Sequence, residues 1–402
     1  MLKKWGKAQI SVDLIIEKCL IVSCVFFTYR SLFLAFDKDE YMPLYSFLSL
    51  FVARMTVPIG SLYLLRTRKC TRENVWLLIL PASYWIMQVV HTYGGYTGGG
   101  ELTFLSTAMF VLLPNETKRK IFNAFYITIQ ATNVVSLVLW GIFIFGGISF
   151  FHQEMFYAQS GLEAAYYYRF AIFAIYKYGH SFPRLCGVFN EPGALGTVCA
   201  LLYICTFKKS KPIEKALLII TGIMTFSFAF FLMLILFLAA YFFLKNPRNI
   251  IVLVVMAAII LMLPYIDFHN DALNETAARF AITSNGFAGD NRTSNEFDLE
   301  YEKFKNSKYL WFGRGAGVTL ATGTASYKSS YVVPYGILGT VFLFGSWLWA
   351  ALCYAGKERN CLLYMFFFFL SLYQRPYAII SFWGYVFLFG GMEWIKAENS
   401  VK

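Results

Sequence analysis

Apolar residues run through this chain in long blocks separated by short polar segments. Read against a hydrocarbon core that takes about 20 helical residues to cross, the blocks predict helices over 14–36, 43–65, 74–93, 101–114, 121–148, 193–207, 216–227, 228–244, 249–266, 332–355, 361–374 and 377–395. The stretch "ALLIITGIMTFSFAFFLMLILFLAAYFF" (216–243) reads either as one long tilted helix or as a tight pair. Parity favours the pair. With two helices there, Lys3 to Lys7, "RTRKCTRE" (66–73), "KRK" (118–120), "KKSKPIEK" (208–215), "KNPR" (245–248), "GKER" (356–359) and the tail from Lys396 all fall on one side. That side collects roughly 20 of the 35 Lys and Arg, mostly in short loops, which makes it cytoplasmic. A single helix would throw "KNPR" outside and scramble the pattern.

Two longer segments, about 149–192 and 267–331, then face outward. The first contains "GLEAAYYYRFAIFAIYKYG" (161–179), whose Leu162, Tyr166, Phe170, Phe173 and Lys177 follow the i, i+4, i+7 rhythm of a helix lying in the membrane interface. In the second, Thr293 and Glu296 have capping-box spacing. Phe297, Tyr301 and Phe304 follow on one face, with Glu300, Glu302, Lys303 and Lys305 on another, so a short amphipathic helix is predicted. The expected fold class is all-α: one polytopic transmembrane domain over 1–402, of about 12 helices, both termini cytoplasmic, with short helices in the two outward loops.

Composition sharpens this picture. The 402 residues are 58% hydrophobic, 19% aromatic and 14% charged, with a mean hydropathy of +0.55, far more apolar than a soluble globular chain. A net charge of +12 raises the question of nucleic acid, but no polar segment is long enough to carry a basic, aromatic-interleaved binding domain. Glu17 and Lys18 interrupt the first apolar run and no small-residue cleavage site follows, so a removable signal peptide is not expected. Of the eight cysteines only Cys186 falls clearly in an outward loop, and no C-x-x-C spacing occurs. His91, His152, His180 and His269 lack metal-ligand spacing. The glycine-rich "GGYTGGGE" (94–101) lacks the Lys-Ser/Thr of a nucleotide phosphate loop and reads as a connector.

Candidate chemistry concentrates in the outward loops. In "HSFPRLCGVFNEPG" (180–193), Pro183 and Pro192 bracket Arg184 and Glu191, and proline suits the first turn of the helix that follows. An arginine beside a helix N-terminus at the edge of the hydrocarbon suits a phosphate or pyrophosphate, because the guanidinium forks onto two oxygens and the helix dipole adds to it. The alternative is that Arg184 pairs with Glu191 and pins the loop. The second loop adds Arg279, Arg292 and Arg314, with Arg292 immediately before the amphipathic helix.

"RLCGVFNEPGALG" (184–196) followed by an apolar helix resembles the Arg-x-x-Gly-x-Phe-x-Glu-Pro pattern of bacterial O-antigen and capsule repeat-unit polymerases, the Wzy family. The order of "IMTFSFAF", an arginine-bearing outward loop with an amphipathic helix, "YLWFGRGAG" and "SSYVVPYGILG" is similar too. The likeness covers roughly residues 180–340, and the N-terminal spans match only in general topology.

The resemblance implies a fold similar to the multi-spanning GT-C glycosyltransferases and a place in the bacterial cytoplasmic membrane, with the active site facing the periplasm. It implies transfer of a growing glycan from undecaprenyl pyrophosphate onto the non-reducing end of a new lipid-linked repeat unit, without metal or other cofactor. Its partners would be that lipid-linked oligosaccharide, membrane lipid and a chain-length regulator protein, with no nucleic acid. Bond cleavage builds charge on the pyrophosphate, and losing one preorganised donor in comparable enzymes costs roughly 3–4 kcal/mol. Arg184 and Arg292 are the expected clamp, with Arg279 and Arg314 as further candidates. Glu191 is the expected base, and Asp290, Glu296 and Asp298 compete for that role. The related O-antigen ligases carry a histidine before the span matching 332–355. Here "TGTASYKSSYVVPYG" (322–336) has none, which favours polymerase over ligase and leaves Lys328 or Tyr331 to occupy comparable space. A flippase for lipid-linked sugars is the other alternative, although such carriers place charge near the bilayer midplane between repeated halves, and no internal repeat is visible.

Overall fold

The structure, a computed structural model, describes residues 2–32, 50–67, 72–90, 101–156, 165–178, 182–246, 250–283, 286–288, 295–315 and 326–399. It is mostly helical. In chain order the first helices are α1 (Leu2–Ser31), α2 (Thr56–Thr67), α3 (Ile79–Val90), α4 (Glu101–Leu112) and α5 (Asn115–Ile144). Four strands follow: β1 (His152–Phe156), β2 (Ala165–Phe170), β3 (Phe173–Tyr178) and β4 (Arg184–Gly187). Then come α6 (Pro192–Thr206), α7 (Pro212–Met224), α8 (Phe228–Lys245), α9 (Ile250–Met262) and α10 (Asp271–Ala278). A two-residue pair, β5 (Ile282–Thr283) and β6 (Gly286–Phe287), precedes α11 (Asn295–Lys305) and α12 (Tyr309–Phe312). The chain closes with α13 (Val333–Ala355), α14 (Arg359–Gln374), α15 (Phe382–Tyr385) and α16 (Gly391–Asn399).

Helix occupies the described part of every predicted apolar block, the last one as a succession of short segments. The ambiguous stretch at 216–243 is two helices, α7 and α8, separated by Thr225–Ser227. Phe226 turns the chain there with φ +45, a rare conformation for a bulky side chain. Among the described residues, Asn115–Ile144 and Lys328–Ala355 are long and apolar enough to cross a membrane, and shorter apolar helices include Pro192–Thr206 and Phe228–Phe243.

The described residues form two compact units. One comprises those of Met1–Leu32, Asp37–Tyr126 and Arg292–Lys402. Its core is aromatic: Trp347 meets Tyr385 edge-on at 4.7 Å, Phe125 meets Phe387 at 5.4 Å, and Tyr354 meets Phe389 at 5.0 Å. Offset and edge-on rings add about 0.5–1.5 kcal/mol per pair beyond their buried area. The predicted amphipathic helix is present as α11, with Phe297 and Phe304 buried, Glu296, Glu300, Glu302, Lys303 and Lys305 exposed and Asp298 half-buried. Thr293, the other half of its capping box, lies outside the described residues.

The second unit comprises the described residues of Ile127–Asn291. At its centre is α6, buried on all sides from Ala194 to Thr206, as a helix without a polar face must be. The interfacial helix expected at 161–179 is absent over the described residues 165–178, and 161–164 and 179 lie outside them. The sequence folds instead as β2 and β3 within an antiparallel sheet of order β1-β2-β3-β4. Tyr, Phe and Ile favour a pleated surface, and the segment alternates as well as it cycles. Tyr167, Ala174, Tyr176 and Cys186 share one face, where they cluster. Tyr168, Ile175 and Leu185 are buried on the other, where Tyr168 stands against Phe143 of α5 at 4.8 Å.

Candidate functional site

The motif around Arg184 folds as a strand, a turn and a helix start. β4 pairs with β3 so that Arg184 lies opposite Tyr176. Gly187 ends the strand at φ +61, where a side chain would be strained, and Phe189 is fully buried. Glu191 is the N-cap of α6 in extended backbone, Pro192 opens the first turn, and the Glu191 carboxylate makes no capping bond. The segment is fastened to α5 by Trp140, whose Nε1 donates to the Pro183 carbonyl at 3.0 Å.

Arg184 is half-buried and committed to the turn between α7 and α8. Its Nε donates to the Thr225 carbonyl at 3.0 Å and its Nη2 to the Phe226 carbonyl at 3.2 Å. Hydrogen bonds from a charged donor contribute about 1.5–3 kcal/mol each. They outweigh the stacking of the guanidinium over Tyr176 at 6.0 Å, the outer limit of a cation–π contact. The Nε–Nη2 edge expected to fork onto a diphosphate is therefore spent on backbone, and Nη1 is the nitrogen with no protein partner among the described residues.

Glu191 is near enough to favour the charged arginine, yet burial and the neighbouring Arg279 guanidinium together pull the Arg184 pKa down to about 10. Arg184 stays charged at neutral pH, with burial the larger cause of the depression and the second cation the smaller. Arg279 is the C-cap of α10, where a cation complements the helix dipole. It has no hydrogen-bond or ion-pair partner among the described residues. Its neighbour Phe280 is buried against Phe228 and Phe231 of α8 at 5.3 and 5.8 Å, which fixes where the helix end projects. The second unit thus holds Arg184, Glu191 and Arg279 in one neighbourhood.

Arg314, Lys328 and Tyr331 belong to the other unit. Arg314 is fixed by its backbone N–H, which donates to the Val333 carbonyl at 2.8 Å. Its guanidinium lies 5.8 Å from the Phe304 ring and 5.9 Å from the Tyr309 ring. Lys328 stands over Tyr301 at 5.2 Å, so both cations sit against aromatics of α11 and α12. Tyr331 is fully buried, its hydroxyl donated to the Pro376 carbonyl. That makes it a core residue with no hydroxyl left for a substrate. Glu296 is exposed and Asp298 half-buried on α11. Arg292, Asp290 and the glycine-rich 94–100 lie outside the described residues.

Sequence reasoning missed Tyr167 and Tyr176. The Tyr167 hydroxyl donates to the Asn190 carbonyl at 2.5 Å, tying β2 to the residue before Glu191, and its ring meets Tyr176 at 5.3 Å. Burial pushes the Tyr167 hydroxyl pKa up, so it acts as a neutral donor. The alternation in "AYYYRF" and "FAIYKY" was the available signal. Comparison of the chain with protein-family models, curated proteins and solved structures finds no match.

Proposed function

We propose that this chain is a polytopic membrane glycosyltransferase that polymerises oligosaccharide repeat units carried on undecaprenyl pyrophosphate at the outer face of the bacterial cytoplasmic membrane. The observation that carries the reading is the Arg184–Arg279 neighbourhood beside the start of α6. Arg279 is near enough to disfavour the charge on poorly solvated Arg184, and it has no counter-ion among the described residues. A diphosphate is the kind of group that relieves such a pair. In the proposed reaction the bond from the anomeric carbon to the pyrophosphate oxygen breaks and its electrons remain on the diphosphate. A hydroxyl of the incoming unit attacks the same carbon, and Glu191 takes its proton. Arg279 and the free Nη1 of Arg184 stabilise the leaving diphosphate in a poorly hydrated setting. Arg314 and Lys328 belong to the other unit and enter no step of this reaction.

Membrane residence is supported by apolar side chains left uncovered along helices. Ile251 and Val254 of α9 are 68% and 63% exposed, and Val138 of α5 is 58% exposed. Stripes of this kind call for lipid. The reading of about 12 spans with cytoplasmic termini rests on the arrangement of lysine and arginine along the chain.

The test is reconstitution of the full chain in liposomes with the lipid-linked repeat unit alone. A polymerase makes a ladder of lengthening products, and Arg184→Lys, which keeps the charge but loses the fork, shortens it while the protein remains folded. Translocation of the unit without polymer would identify a flippase, and a requirement for a second lipid acceptor would identify a ligase.

A further inference from the structure

A cavity of about 390 Å³ opens between the start of α5 and the last helix, α16, lined by Asn115, Glu116, Arg119, Glu393, Lys396 and Ala397. This is within the size range of small-molecule sites, about 300–1,000 Å³. Its two carboxylates are already committed. Glu393 holds Lys396 at 3.0 Å, and Glu116 holds Lys120 at 3.2 Å, which also reaches Glu17 at 2.9 Å. Arg119 has no carboxylate or other hydrogen-bond partner among the described residues. The Lys396 ammonium rests 4.0 Å from the centre of the Tyr354 ring, and buried Lys118 lies 5.6 Å from the same ring. The Asn115 side-chain oxygen accepts from Asn74 Nδ2 at 2.7 Å and from the Tyr354 hydroxyl at 3.2 Å. Its Nδ2 is left as a donor at the cavity.

From these residues we infer that the cavity binds a phosphate group, with the Arg119 guanidinium and Asn115 Nδ2 as donors and Lys396 as flanking charge. A planar guanidinium with no competing carboxylate is the side chain best matched to phosphate oxygens. Lys118, Arg119, Lys120 and Lys396 in and around the cavity face the carboxylates of Glu17, Glu116 and Glu393, which leaves the local balance positive by one charge. The same chemistry is presented by free phosphate and by the headgroup of an anionic phospholipid. This site does not depend on the reading of Arg184 and Arg279.

The full chain, purified in an uncharged detergent, is titrated with inorganic phosphate and, separately, with phosphatidylglycerol in mixed micelles. Binding of either probe is expected to weaken at least tenfold in Arg119→Ala, to be partly restored in Arg119→Lys, and to persist in Arg279→Gln. Phosphate alone binding in this pattern assigns a soluble ligand, and phosphatidylglycerol alone assigns a lipid headgroup. Should Arg119→Ala fail to fold, Arg119→Gln carries the same comparison. The inference is overturned if neither probe binds the unaltered protein, if Arg119 substitution leaves affinity unchanged, or if binding disappears in Arg279→Gln instead.

Discussion

The Nε of Arg184 donates to the carbonyl oxygen of Thr225 at 3.0 Å, across 41 residues of chain. With the companion bond to Phe226, this contact makes Arg184 the pin of a turn, and the proposed function gives it a second role beside Arg279. Substitution should separate the two roles. Arg184→Ala is expected to lower stability by about 2 kcal/mol, the size of a charge-assisted hydrogen bond with its acceptors left unpaired. Arg184→Lys should recover roughly half of that, since an ammonium still donates, while polymer formation stays low. Thermal unfolding of the purified variants beside the reconstitution assay checks the split. Equal recovery of stability and polymer by lysine would reduce Arg184 to a purely structural residue.

Removing Arg279 should have the opposite effect on the fold. The Arg184 pKa is depressed partly by Arg279, so the folded state carries a repulsion that the unfolded chain lacks. For a base with a lowered folded pKa, the penalty is present below about 10 and disappears above the unfolded value. Arg279→Gln removes this repulsion together with a favourable helix-end charge of about 0.3–1 kcal/mol, and a net rise in stability is expected if the repulsion is the larger. Any gain should be constant between about pH 6 and 9, below the range in which Arg184 titrates. A loss of stability across that range would contradict a repulsion larger than the helix-end contribution.

Gly196 lies where α6 meets the turn that Arg184 holds. A Cβ there would stand 2.6 Å from Ser227 Cβ and 2.9 Å from Thr225 Oγ1. Gly196→Ala should cost about 1–3 kcal/mol by overpacking, and it should displace the carbonyls of Thr225 and Phe226, lowering activity with no change to a charged residue. Calorimetry together with the polymer ladder measures both effects.

Low pH should loosen the start of α10. Asp267 accepts from Asn274 Nδ2 and the His269 N–H, both at 2.8 Å. These bonds hold its pKa below the ordinary 3.8. A carboxylate with a lowered folded pKa stabilises the fold above its unfolded value, and that contribution is lost as pH falls through the folded one. Hydrogen exchange at Phe268–Asn274 should therefore accelerate below about pH 3.8, and Asp267→Asn should remove this pH dependence.

The uncovered face of α9 tests the membrane reading directly. Val254→Arg puts a charge where the reading places hydrocarbon, at a cost of about 2.5–3.5 kcal/mol near a helix centre. Membrane-integrated protein should fall sharply relative to Val254→Leu in a fractionation assay. Equal integration of the two variants would argue that α9 does not face lipid.

The helices were legible because apolar blocks this long leave the backbone few alternatives. The division of 216–243 followed from the charge pattern, and α11 from its two-faced composition. The sheet was hidden for two physical reasons. Leu162, Tyr166, Phe170, Phe173 and Lys177 satisfy a helical rhythm while their neighbours alternate. The β2–β3 hairpin also turns at Ala171 and Ile172, with Ala171 at φ +49, and lacks the Asn-Gly or Gly that usually betrays such a turn. Arg184 was singled out from its motif, but its acceptors are main-chain oxygens. A backbone carbonyl has no letter of its own, so no inspection of residue types could have paired it with Thr225 and Phe226. Tyr331 looked available for the same reason, since its acceptor is the Pro376 carbonyl.

The pin between β4 and the α7–α8 turn also bears on the order of assembly. Arg184 leaves the ribosome well before Thr225 exists, so the bond must wait until α6 and α7 have been laid down and folded back. It closes after the sheet has its strands and before Phe280 can pack on Phe228 and Phe231, so its closing would report that the turn between α7 and α8 has reached its final seat. A nascent chain halted before Thr225 would leave both of these Arg184 donors without the carbonyls that hold them.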